Sequence, residues 1–154
     1  MAPDNAGLAD DFRDCIECLN VYDVSFVLVG GYAVGWHGVI RATGDIDFLY
    51  EQTDDNVARL CAALRDFGAP EQLIDHKFLL TPNAVTQIGM PPLRIDLLAS
   101  ITGVSFDAVR VGAETVELDG LRLLVIGLPE LRINKGATGR AKDREDLRRL
   151  RAAR

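Results

Sequence analysis

The chain has 154 residues, 48% hydrophobic and 26% charged, and a chain of that length buries roughly 70% of its unfolded surface around one core. This composition excludes disordered, collagen-like and disulfide-scaffold classes. The net charge of −6 excludes a general nucleic-acid coat. The longest uncharged run, Val24 to Ile40, holds 17 residues with Ser25, His37 and four glycines. A membrane-spanning helix needs about 20 mostly apolar ones, so no membrane association is expected. The first residues, MAPDNAGLADDFRD, lack a basic and then apolar leader, and the expected location is the cytoplasm. No repeat or linker divides the chain, so residues 1–154 are read as a single domain.

Charge is unevenly spread. Residues 132–154 carry nine Arg or Lys against three acids, while the first 131 carry 8 basic and 20 acidic residues. An acidic body with a basic C-terminal segment suits metal ions on one part and phosphates on the other, although on charge alone a solvated helix face is the favoured reading.

In chain order, the spacing predicts a first helix over residues 7–21, striped by Leu8, Phe12, Cys15, Ile16 and Leu19. That stripe places Cys15 in the core. Asp11, Asp14 and Glu17 disfavour a thiolate in the Cys15–Cys18 pair, and no further ligands stand nearby, so neither a redox nor a zinc motif is expected. Ser25–Val29 reads as a buried strand ending at Gly30-Gly31, and Tyr32 to about Gly38 as a short helix. Asp45–Tyr50 is a second strand. Thr53 or Asp54 caps a helix striped by Val57, Leu60, Cys61, Leu64 and Phe67 and ended by Gly68. Lys77–Leu80 and Ala84–Ile88 read as weaker strands, and Leu93–Leu98 as another after the Pro91-Pro92 break. Thr115–Leu118 and Leu121–Ile126 flank Asp119-Gly120, a hairpin signal. Helices are expected from Pro129 to Asn134 and from Lys142 onward. The order implies an α/β (α+β) fold with a mixed sheet flanked by helices and a basic C-terminal helix over 132–154.

Three features carry chemistry. Asp45 and Asp47, at i and i+2 on a strand, project from one face; paired carboxylates repel unless a cation lies between them, and oxygen ligands suit Mg²⁺ or Mn²⁺. Taken alone, a D-x-D is more often a pair of surface acids. Asp96 lies among Leu93, Ile95, Leu97 and Leu98, where an isolated carboxylate costs desolvation energy. If its strand neighbours that of Asp45 and Asp47, three carboxylates converge, enough for two metals and a general base. Gly30-Gly31, between a strand and a helix, exposes backbone N–H groups suited to phosphate. His37 is read as a structural hydrogen-bonding histidine, and Asp143 as the acid of an ordinary helix ion pair with Arg140 or Lys142.

Taken together, VLVGGYAVGWHGVIRATGDIDFLY resembles the nucleotidyltransferase superfamily, with its glycine pair followed by D-h-D-h. Within it the chain is most similar to small bacterial abortive-infection and toxin–antitoxin nucleotidyltransferases, on Gly30, Gly31, Ala33, His37, Gly38, Arg41, Thr43, Asp45, Ile46 and Asp47. RIDLL around Asp96 matches the third-carboxylate strand. Glu130, Leu131, Lys135, Gly139, Arg140, Lys142, Asp143, Asp146 and Leu147 match a later basic segment.

The resemblance implies a metal-dependent nucleotidyltransferase fold and activity. Asp45, Asp47 and Asp96 would be the catalytic, metal-binding carboxylates, with Mg²⁺ or Mn²⁺ as cofactor and an NTP as substrate. Gly30, Gly31, Arg41, Thr43, Lys135, Arg140 and Lys142 would contact the nucleotide. The implied acceptor is an RNA 3′ end, a protein side chain or a small molecule, and a cognate protein partner or a second copy would help to hold it. Tyr32 stands where many transferases place a serine that contacts phosphate. This departure keeps a second function open, that of a catalytically inactive nucleotide- or partner-binding relative such as an antitoxin-type module.

Overall fold

A computed structural model describes residues 8–39 and 44–152. The described residues form seven α-helices and six strands: α1 (Asp10–Val21), β1 (Phe26–Val29), α2 (Gly30–Trp36), β2 (Asp45–Tyr50), α3 (Asp54–Phe67), α4 (His76–Leu79), β3 (Val85–Ile88), β4 (Arg94–Leu98), α5 (Phe106–Gly112), β5 (Glu114–Leu118), β6 (Leu121–Val125), α6 (Leu128–Thr138) and α7 (Ala141–Ala152). The strands make one mixed sheet in the order β3-β4-β2-β1-β6-β5. Chain neighbours β1 and β2 run antiparallel, whereas β4 joins β2, and β6 joins β1, in parallel. The central pair of chain neighbours is therefore flanked on each side by a strand from farther along the chain.

Side-chain pattern explains which strand goes where. All of β1, FVLV, is buried, as a central strand covered on both faces must be. In β2 the pleat sends Ile46, Phe48 and Tyr50 to one face and Asp45, Asp47 and Leu49 to the other. On the apolar face Phe48 meets Phe26 edge to face, ring centres 5.4 Å apart. Phe12, Cys15, Ile16 and Leu19 of α1 and Val57, Leu60 and Leu64 of α3 complete this core. Each large apolar side chain so buried contributes about 1.5–3 kcal/mol.

Local signals set the helix ends. The Thr53 side chain accepts from Asn56 N at the start of α3, and Gly68 closes it in the left-handed conformation. Asn56 itself is buried: its Oδ1 accepts from Ser25 N at 2.7 Å and its Nδ2 donates to Ser25 O and Glu51 O. It thus clamps the start of β1 to the end of β2. Asp119 and Gly120 both take positive φ, 53° and 80°, as a two-residue hairpin turn with matching twist requires.

One expectation is corrected, and one helix is added to those expected. Lys77–Leu80 is not a strand but lies within and just after α4, whose first turn is capped by Asp75 accepting from Phe78 N. The segment before β5 holds α5, which the apolar spacing does not announce; Ser105 caps it by accepting from Ala108 N. Among the described residues no helix is long and apolar enough to cross a membrane.

Candidate active site

β2 and β4 lie side by side in parallel, with Asp45 opposite Arg94 and Asp47 opposite Asp96. This register puts three carboxylates on one face of two adjacent strands, the juxtaposition on which the reading of Asp96 depends. On the other side of β2, Val29 pairs with Asp47, and the next residue, Gly30, opens α2. Gly30 has φ +70°, and a β-carbon built there would lie 1.9 Å from Asp47 Oδ2. The glycine is required twice: for its backbone conformation and to let the carboxylate lie against the chain.

Charge is crowded here. Burial, with the Asp96 and Asp45 carboxylates close by, pushes Asp47 up to about 7, opposed by the Lys135 ammonium. Part of the charge is met from within the chain. Arg94 Nε donates to Asp96 Oδ1 at 2.8 Å, and its Nη2 to Asp96 Oδ2 at 3.2 Å and to Asp45 Oδ2 at 2.9 Å. One guanidinium therefore spans the two carboxylates that flank Asp47. Arg94 is the functional residue that the motif reading passes over. Its signal was its place two residues before Asp96, on the same strand face.

The donor set fits a small hard cation. Three hard oxygen donors converge from rigid strands, and Asp47 is held in a field that favours added positive charge. As the side chains stand, no three His, Cys, Asp or Glu among the described residues form a ready-made metal cage; the Arg94 guanidinium bridges Asp45 and Asp96 instead.

The remaining predicted residues divide. Gly30 and Gly31 stand at the start of α2, Gly30 against Asp47. Arg41 and Thr43 lie outside the described residues. Lys135 of α6 is buried, its Nζ 2.9 Å from Asp143 Oδ1 and 3.3 Å from Asp146 Oδ2 on α7. From inside this helix–helix junction its ammonium acts on Asp47, opposing the upward shift. Arg140 is exposed and donates from Nε to Asp143 Oδ2 at 2.8 Å, and Lys142 is exposed. Burial alone would raise Asp143, but hydrogen bonds from Lys135, Thr138 and Arg140 outweigh it and bring the carboxyl down to about 2. Asp143 is thus more than the expected surface ion pair: it is the buried hub of three donors.

His37 is buried with Nε2 2.8 Å from Ile126 O, a structural contact between α2 and the end of β6. Tyr32 packs edge-on against Phe12, centres 5.8 Å apart, and Trp36 Nε1 reaches Glu114 Oε1 at 3.4 Å. Cys15 is buried, its thiol pushed by burial up to about 12, and burial also raises Cys18. Neither has the character of a reactive thiol.

A glycine pair running into a helix, with an acid pair on β2 and a third acid beside it on β4, is the layout of a nucleotidyltransferase, and comparison places the fold there. LnuA, a lincosamide antibiotic adenylyltransferase solved with lincomycin, matches with a TM-score of 0.60 at 13% identity, over 97% of this chain and 100% of its own. TM1012 of Thermotoga maritima, assigned as a nucleotidyltransferase, gives 0.59 at 16%, over 97% and 98%. ANT(2″)-Ia in complex with adenylyl-2″-tobramycin gives 0.58 at 10%, over 92% and 86%. No curated protein matches the chain by sequence. Residues 9–154 match the family described as nucleotidyl transferase of unknown function (DUF2204), and the chain belongs to that family.

Proposed function

We propose that the protein transfers an NMP unit from an NTP to a hydroxyl acceptor, using Mg²⁺ or Mn²⁺. The observation that carries this reading is the in-register pairing of Asp47 with Asp96, with Asp45 on the same face and Gly30 in contact with Asp47. Asp45, Asp47 and Asp96 would hold the metal, which would neutralise the triphosphate and the charge developing on its α-phosphate.

The chain's own residues do the rest. Gly30 and Gly31, which carry no side chains of their own, offer backbone N–H groups to the outer phosphates. Asp96, at the inner end of the acid cluster, takes the proton of the acceptor hydroxyl. The acceptor oxygen forms a bond to the α-phosphorus, and the bond from that phosphorus to the pyrophosphate oxygen breaks in line. Lys135 lends positive charge from the α6–α7 junction, while the exposed Arg140 and Lys142, in the turn between the two helices and at the start of α7, are assigned to phosphate or acceptor by resemblance. Arg41 and Thr43 precede β2 and are assigned to the nucleotide by resemblance.

The acceptor classes are an RNA 3′ end, a protein side chain and a small molecule; the two antibiotic transferases with this fold are instances of the third. The setting that the sequence resemblance favours is the enzyme of a toxin–antitoxin or phage-defence pair in the cytoplasm.

Equilibrium dialysis of each of four labelled NTPs, with and without Mg²⁺, tests the site. Metal-dependent retention by the wild type that is lost in Asp45→Asn/Asp47→Asn is the expected result. Equal retention by both proteins would remove the carboxylates from the nucleotide site.

A further inference from the structure

The acid cluster contains its own cation. Arg94 sits two residues before Asp96 on β4 and opposite Asp45 on β2, so its side chain is bound to lie across the cluster. It takes both oxygens of Asp96 in a forked contact and reaches Asp45 with the same nitrogen that closes the fork. A planar guanidinium matches a carboxylate in this way far better than an ammonium does. The oxygens it occupies are those that a divalent ion would need. Yet the side chain is a quarter exposed, so it can swing out to solvent without opening the core.

We infer that Arg94 is a displaceable internal counter-cation that holds Asp45 and Asp96 together before metal arrives and must be released for a divalent ion to bind. This rests on the metal-site reading above. Without Arg94, Asp96 would lose both arms of its forked contact while still lying against Asp47. With it, the empty cluster is tolerated, and a metal ion arriving alone must compete with a bound guanidinium. An arriving nucleotide changes that competition, because its phosphates offer the released guanidinium a new forked partner. Arg94 therefore acts as a positioning residue that makes metal capture depend on nucleotide.

The experiment is a titration of the full chain with Mn²⁺ alone, following the free ion by electron paramagnetic resonance. Wild type, Arg94→Met, Arg94→Lys and Asp45→Asn/Asp47→Asn are compared, each also melted in EDTA and in Mn²⁺. Arg94→Met should bind Mn²⁺ about tenfold more tightly than wild type, the change that one interaction of ordinary charge-assisted strength supplies. Arg94→Lys, which keeps the charge but not the fork, should fall between them. In EDTA, Arg94→Met should melt below wild type, and Mn²⁺ should raise its melting temperature by more. A merely structural arginine would lower stability without tightening metal binding. Equal affinity in wild type and both Arg94 variants, with binding lost in the double Asp variant, would overturn the role of Arg94 and leave the metal site standing. No Mn²⁺ binding by any of the four would overturn both.

Discussion

Gly30 and Asp47 are in such close contact that no side chain fits between them: a β-carbon at Gly30 would fall 1.9 Å from Asp47 Oδ2. Replacing Gly30 with alanine must therefore move the carboxylate or the start of α2, and it also forces a residue with a side chain to φ +70°. Gly30→Ala should lose about 1–3 kcal/mol of stability by urea denaturation and lose nucleotide retention with it. Gly35→Ala, where an added β-carbon meets nothing within 4 Å, should be neutral or slightly stabilising.

Asp47 gives the metal-free protein an unusual pH dependence. Its carboxyl is raised to about 7 when folded, above the ordinary value of about 4 for an unfolded chain. Between those values the folded state binds the extra proton, so stability falls as pH rises from about 4 to 7 and then levels off. Asp47→Asn should flatten this slope and make the apoprotein more stable than wild type at pH 8. Urea midpoints at pH 5 and pH 8 in EDTA measure both effects, and an unchanged slope in the variant would assign it to another group.

Asp143 should act in the opposite sense. Its folded carboxyl is lowered to about 2 by Lys135, Thr138 and Arg140, against its burial. The stability it contributes is complete above about pH 4 and is lost as pH falls through 2. Lys135→Met leaves Asp143 and Asp146 buried without their shared ammonium, and breaking a buried pair in this way costs about 3–5 kcal/mol. Chemical denaturation at pH 7 should show a loss of that size and a detached α7. A loss below about 1 kcal/mol, the size expected of an exposed pair, would count against a closed junction.

His37 should matter to stability and not to metal. Its ring nitrogen meets Ile126 O at 2.8 Å in a buried contact; His37→Ala leaves that carbonyl unpaired at a cost of about 1–3 kcal/mol. Mn²⁺ affinity should stay within twofold of wild type, and a larger loss would mean that His37 supports the site itself.

The sheet was legible where one residue type had to face one way. Asp45–Tyr50 matches β2 at both ends because acids and apolar residues alternate there, and Asp119-Gly120 fixes the β5–β6 hairpin because both positions take positive φ. Lys77–Leu80 misled because its three apolar residues, Phe78 to Leu80, are too few to carry a period; the usable sign was Asp75, a cap. The carboxylate cluster was legible only in parts, since the pairing of β2 with β4 joins residues 49 positions apart. For the same reason Arg94 was legible only in half: its place two residues before Asp96 is local, but its reach to Asp45 crosses to β2. Lys135 is assigned to the nucleotide by resemblance, yet it is buried because its counter-charges, Asp143 and Asp146, arrive from a different helix.

The most direct test of the proposed chemistry is the fate of two labels. The purified protein is given the same NTP labelled either at the α- or at the γ-phosphate, with Mg²⁺ and pooled RNA, protein and small-molecule acceptors. Attack at the α-phosphate should move only the α label onto the acceptor and release the γ label as pyrophosphate, with neither event in Asp45→Asn/Asp47→Asn. Transfer of the γ label would show phosphoryl transfer instead. The α label remaining in NTP with every acceptor, while the nucleotide still binds, would contradict catalysis and favour a nucleotide-binding module.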